Sequence, residues 1–365
     1  MTTTGITTRT AAAPTATAGG APRRGLVLGG GGMLGAAWTV GALCAVEEVT
    51  GRQPGGADVL LGTSAGAILA AMLAGGVRPE QLRAHQCGLP ITEGPLAGVA
   101  FDYGTAVGGP LPPRPRAGIG SPDLLRDAVR HPREYPLLTM VSAMAPHGRG
   151  SLASVGELVR DLLGPGGWPA PGTAEPGPAA LPLRVAAVDY RSGHRVVFGD
   201  PDAPAVAVAD AVMASCAIPG WFAPVRLNGS AYVDGGCWSA TSADLMLGRG
   251  LEEVYVLAPM ALRLDPHAER PDRGTLAVLR EWRDRDRDRP RGVLAQLVSR
   301  YRRAVTRQLL REAALLRAEG VRVRLLAPTL ADLAVMGPNM MDPARRGEVL
   351  ESGLRTSREA LRAAR

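Results

Sequence analysis

The sequence predicts an α/β fold built on a parallel sheet. Two stretches carry most of that expectation. "RGLVLGG" (24–30) leads into "MLGAAWTVGALCAVEEVTG" (33–51), and "ADVLLGTSAGAILAAMLAGG" (57–76) repeats the order of short apolar run, glycine turn and longer apolar helix. A β-α-β-α order of this kind lays helices on a parallel sheet. A third run, "EVYVLAPM" (253–260), is apolar almost throughout, as strands buried on both faces are. With 365 residues and 46% hydrophobic content, the chain is long enough to bury a large core.

Taken in order, residues 1–22 are Thr/Ala/Pro-rich, without the apolar core of a signal peptide, and are expected to be a disordered tail. The first strand enters the glycines at 29–32, and its helix ends near Glu47 and Glu48, with Gly51 as a C-terminal cap. Residues 25–46 and 59–77 carry no charge, and their length would permit a membrane span. Seven glycines in the first stretch, and the strand–turn–helix division of both, favour buried core elements.

From about 90 to 182 proline and glycine dominate, and we expect an insertion covering the sheet's functional edge. Two helices stand out within it. "SPDLLRDAVR" has Ser121 at the N-cap and Pro122 at the first helical position, and "SVGELVRDLL" offers a Ser154/Glu157 capping box. The sheet resumes with "LRVAAVDY" (183–190) and a hairpin partner in "SGHRVVFG". A helix in "APAVAVADAVMASCA" leads to "IPGWFAPVRLNGSAYVDGGCW". After the 253–260 strand come a charge-alternating segment at 280–290, a long amphipathic helix over 291–319, the strand "VRVRLLAP" and a helix near 343–363. The expected organisation is a catalytic domain over 24–250, with 251–365 packed on the same domain.

All 41 basic residues are arginine. Without lysine there is no Schiff base, pyridoxal anchor, Walker-type phosphate lysine or Ser-Lys dyad. The net charge of +7 favours an anionic lipid surface, and no arginine block resembles a DNA-reading helix, so no nucleic-acid partner is expected. Cys44, Cys87, Cys216 and Cys237 are isolated, which points to neither a zinc site nor a disulfide framework. We expect a cytoplasmic setting, no metal and no cofactor.

Gly62-Thr63-Ser64-Ala65-Gly66 fits G-x-S-x-G between an apolar strand and an apolar helix. That context forces a sharp turn exposing the Ser64 hydroxyl at a helix N-terminus, where developing negative charge is favoured. Gly30-Gly31-Gly32-Met33-Leu34-Gly35 also satisfies the dinucleotide pattern G-x-G-x-x-G. A Rossmann site needs an acidic residue at the end of the second strand, and that strand ends in "LLGTSAG". Adjacent strand ends would instead bring the N–H groups of Gly30, Gly31 and Gly32 near Ser64 as oxyanion donors, each worth about 3–4 kcal/mol when well placed.

The serine needs a base. Of His85, His131, His147, His194 and His267, only His267 follows a late acid, and it sits in a polar, proline-flanked segment. Asp234, at the strand end of "AYVDGG", could take the proton directly or simply stabilise its turn.

In order, "GGGGMLG" (29–35), "GTSAG" (62–66) and "DGG" (234–236) resemble the motifs of the patatin-like phospholipases, and "ASCAIPGWFAPV" (214–225) is similar to the family's stretch before the acid. The resemblance covers roughly residues 24–250. It implies a three-layer α/β/α sandwich with a mainly parallel sheet and metal-free hydrolysis of lipid carboxylic esters. Ser64 would be the nucleophile and Asp234 its base. Gly30, Gly31, Gly32 and Ala65 would supply oxyanion N–H groups, with Gly35, Gly62, Gly66, Gly235 and Gly236 as motif glycines. Many members carry Arg or Lys just before the loop's last glycine, where this chain has Leu34; if that cation holds the oxyanion or a phosphate headgroup, the departure favours neutral esters over phospholipids. The expected partner is a lipid or other acyl-ester substrate, with peripheral membrane contact. A catalytically silent patatin-like scaffold and a dinucleotide-binding oxidoreductase remain as alternatives.

Overall fold

A computed structural model describes residues 22–99, 101–102, 113–166, 168, 182–263 and 293–364. The expectations for the tail before residue 22, for His267 and for the 280–290 segment fall outside them. Eight strands form one sheet: β1 (Arg24–Leu28), β2 (Val59–Thr63), β3 (Leu183–Asp189), β4 (Arg195–Phe198), β5 (Val225–Leu227), β6 (Ser230–Asp234), β7 (Glu253–Leu257) and β8 (Arg322–Leu326). Their order is β5-β6-β3-β2-β1-β7-β8, with β4 also paired to β3. From β3 to β8 the neighbours run parallel, whereas β4, β5 and β6 are joined by antiparallel ladders.

Ten helices are described: α1 (Gly32–Thr50), α2 (Ala65–Ala74), α3 (Pro79–Gln86), α4 (Pro122–Arg130), α5 (Leu137–Met144), α6 (Ala153–Leu163), α7 (Val208–Cys216), α8 (Val293–Ala318), α9 (Leu330–Met336) and α10 (Arg346–Ala363). Side chains alternate across the strands and so divide the core in two. Leu26, Leu28 and Leu60 pack with α1, α2, α6, α7 and α10, while Val27, Leu61, Val254 and Val256 pack with Val305, Leu309 and Leu316 of α8. Val188 packs with Leu124 of α4 and Ala143 of α5 on the same side. The sheet therefore lies between two helical layers.

α1 is long and apolar enough to cross a membrane by composition, yet most of it is buried inside the protein. It ends at Gly51, whose φ of 68° is the left-handed conformation that stops a helix. Within the 90–182 segment, Ser121 caps α4 by accepting from the Leu124 N–H at 3.3 Å. The Ser154/Glu157 capping box does not form. Burial of Leu152 and Val155 starts α6 at Ala153, which leaves Ser154 already inside the first turn. α3 and α5 add helices that the sequence pattern does not single out.

Candidate active site

The register of β3 builds the site. Its residues Leu183 to Ala186 pair with β2, and on the same edge Ala187 to Asp189 pair with β6 running the other way, because β4 occupies the opposite edge. Thr63 lies opposite Ala186 and Asp234 opposite Ala187. Two strands thus end head to head on neighbouring residues of a third, which brings Ser64 to Asp234.

Ser64 follows Thr63 with φ 54° and ψ −128°, a conformation that costs a non-glycine residue on the order of 1–3 kcal/mol. The strain is held by close packing. A Cβ on Gly66 would lie 2.0 Å from the Leu28 carbonyl oxygen, so only glycine lets α2 leave the sheet this steeply. The Ser64 N–H donates to Ser215 Oγ at 2.8 Å, and that hydroxyl donates to the Ala186 carbonyl at 2.6 Å, tying the turn through α7 to β3.

Asp234 is buried, and its Oδ1 accepts the Gly236 N–H at 2.7 Å. Burial pushes its carboxyl up to about 6, opposed by hydrogen bonds from the Ser64 hydroxyl and the Gly236 N–H. The structure therefore sets a serine in a strained turn and a buried carboxylate in the wall of one cavity. None of the four described histidines lines the cavities at Ser64. His131 bonds Asp127 and His147 bonds the Gly120 carbonyl.

The glycine loop divides its donors. The Gly29 N–H goes to the Leu257 carbonyl, and the Gly30 N–H goes to the Ala240 carbonyl at 2.8 Å. This corrects the expectation for Gly30: its N–H closes the loop onto the segment after Asp234, so it is not a donor left open. The N–H groups of Gly31 and Gly32 make no hydrogen bond among the described residues, and both glycines line a cavity with Ser64 and Asp234. Ala65 opens α2 beside them, and its N–H is likewise unengaged among the described residues. Leu34 is fully buried, with its N–H on the Met340 carbonyl, so that position looks into the core.

Ser64 stands between two cavities. One, of about 70 Å³, is walled by Met33, Ile68, Leu69, Met72, Val155 and Leu158. The other, of about 370 Å³, is lined by Gly31, Asp234, Val141, Tyr301 and Met340. The first is apolar on nearly every side, and the second holds the polar groups of the site. Sequence reasoning missed Ser215, Tyr301, Met340 and Met341. Ser215 lies in the 214–225 stretch already set apart, whereas "GPNMMDP" offers no signal, because its role depends on where α9 ends.

A family model for patatin-like phospholipase matches residues 26–247, more than half of the chain. No curated protein matches the sequence. Among solved structures the chain is similar to VipD from Legionella pneumophila, at 14% identity over 94% of this chain and 67% of that one, with a TM-score of 0.42. It is also similar to the type III effector protein ExoU, at 14% identity over 94% of this chain and 53% of that one, with a TM-score of 0.30. The chain thus spans about two thirds of the first and about half of the second. On this match over residues 26–247, the chain belongs to the patatin-like phospholipases.

Proposed function

We propose that the protein is a serine acyl hydrolase that cleaves lipid carboxylic esters by a Ser64–Asp234 dyad. The observation that carries this reading is the register of β3, which sets the strained Ser64 turn against the buried Asp234 in one cavity shared with Gly31 and Gly32. Asp234 takes the hydroxyl proton as Ser64 Oγ attacks the acyl carbonyl. The N–H groups of Gly31, Gly32 and Ala65 face the oxyanion that forms. Collapse of this intermediate breaks the bond to the alcohol, which leaves with the proton held by Asp234. Water, deprotonated by Asp234, then releases the acid and restores Ser64. The acyl chain occupies the apolar cavity behind Ser64, and the enzyme works in the cytoplasm, peripheral to a membrane.

Fluorophosphonates test the central step directly. Intact mass and peptide mapping should show one adduct, on Ser64, that is absent from Ser64→Ala. Folded wild-type protein that takes up no probe would overturn the reading in favour of a silent scaffold.

A further inference from the structure

α5 is built inside out for a helix facing water. Thr139 and Ser142 point inward, where Thr139 Oγ1 donates to the Cys237 carbonyl at 2.7 Å and Ser142 Oγ to the Thr139 carbonyl at 2.7 Å. Leu137, Leu138, Val141 and Met144 point outward and are 75%, 37%, 46% and 53% exposed. Their i, i+1, i+4, i+7 spacing sets them along one stripe. A soluble helix of ordinary design puts its polar residues on that stripe and its apolar ones beneath. Such an exposed apolar ridge marks a place of contact.

Two further observations say with what. Leu137 and Leu138 border a groove between α5 and α8 that also contains the exposed Arg133, Arg307 and Arg311. None of these three pairs with a carboxylate among the described residues, although the exposed Glu134 lies in the same groove. Leu138, Gly236, Ala240 and Tyr301 border both this groove and the cavity that holds Ser64 and Asp234. Apolar side chains flanked by unneutralised arginines, opening onto a site for acyl esters, match the chemistry of an anionic lipid interface.

We propose that the α5 ridge and the Arg133/Arg307/Arg311 groove form the surface by which the protein docks on an anionic lipid bilayer. This rests on the acyl hydrolase reading and deepens it. Leu137 and Met144 enter the acyl boundary, the arginines take the anionic headgroups, and the lipid ester is presented to Ser64 through the opening beside Leu138.

The test uses the full chain carrying Ser64→Ala, so that lipid is not consumed. It is sedimented with large unilamellar vesicles of phosphatidylglycerol or of phosphatidylcholine. Binding to phosphatidylglycerol should exceed binding to phosphatidylcholine by at least roughly tenfold. Adding Leu137→Glu and Met144→Glu should lower it by roughly tenfold or more. Arg307→Gln with Arg311→Gln should remove most of the preference between the two lipids, with circular dichroism and Tm confirming that each variant folds. Equal binding to both lipids would overturn the proposal. So would full binding by Leu137→Glu/Met144→Glu, or a dimer that these substitutions abolish in protein that binds no vesicle. The fluorophosphonate result separates this inference from the hydrolase reading. An adduct on Ser64 without vesicle binding defeats the docking surface alone, and vesicle binding without an adduct defeats the hydrolase alone.

Discussion

Asp234 is ionised at the expense of the fold. Its carboxyl is raised from 3.8 to about 6 by burial, so the folded chain holds that proton more tightly than the unfolded chain does. The contribution of Asp234 to stability therefore falls as pH rises from about 4 to about 6 and does not recover above it, a cost on the order of 1–3 kcal/mol. Asn at this position keeps an oxygen for the Gly236 N–H and carries no charge. We expect Asp234→Asn to raise Tm by about 2–6 °C at pH 8, with the gain shrinking towards pH 4.5. Calorimetry at the two pH values checks this. The same variant should lose activity on a soluble ester by about 10²–10⁴-fold. In wild type the rate should climb with pH through about 6, as the carboxylate becomes able to accept a proton. The roles tested here were legible in the sequence to different depths. Ser64 and Asp234 stand at strand ends that run into glycine turns, a signal carried by residue order alone. The donors were less legible, because G-G-G-G says that backbone comes close but not which N–H is used. The Ala240 carbonyl that occupies Gly30 lies far along the chain.

Elements bind the site through one buried carboxylate on α8. Glu312 accepts from Ser239 Oγ and Thr241 Oγ1 at 2.6 Å each, from the Ala243 N–H at 2.8 Å and from Gln308 Nε2 at 3.1 Å. Burial raises its carboxyl above the usual range, and these bonds offset much of that penalty. The segment it grips follows Asp234 directly and carries the Ala240 carbonyl that holds Gly30, so α8 reaches the glycine loop in two steps. Glu312→Leu leaves two hydroxyls and an N–H buried without their acceptor and should cost about 2–4 kcal/mol, read as a lower Tm. Glu312→Gln keeps one acceptor oxygen and should lose less. In both, fluorophosphonate labelling of Ser64 should slow in the same order as the stability loss. The sequence shows α8 as an amphipathic helix, but periodicity cannot say that one glutamate of a charged face turns inward. α5 was hidden for a related reason: with Thr139 and Ser142 inside and Leu137 and Met144 outside, its pattern contradicts the usual one.

At the scale of the molecule, the region that matches the family ends at residue 247, while the sheet continues. β7 pairs with β1 along the edge opposite β2, and β8 follows it. α10 lies so close on α1 that a Cβ on Gly41 would stand 2.2 Å from the Leu350 carbonyl, and one on Gly353 would stand 2.7 Å from the Trp38 carbonyl. The Met340 carbonyl takes the Leu34 N–H, and Met341 lines both cavities at Ser64. Nearby, Arg302 of α8 is buried, pushed down to about 10 by that burial, and donates to the Pro259 carbonyl at 2.9 Å. Pro259 in turn packs on Gly31 and Gly35. A chain cut to residues 22–250 therefore loses the second neighbour of β1, the cover over Trp38, and the carbonyl that anchors the start of α1. Each large apolar side chain returned to water costs about 1.5–3 kcal/mol, against a total stability of about 5–15 kcal/mol. Uncovering Val27, Leu34, Trp38 and Leu43, which pack on the deleted strands and helices, is enough to consume most of that margin. The truncated chain should aggregate, or retain helical circular dichroism without a cooperative melt, and Ser64 should take up no fluorophosphonate. A cooperative transition with Ser64 still labelled would show that β1 and α1 are held by the first half of the molecule, and that the C-terminal strands and helices are an accessory to the site.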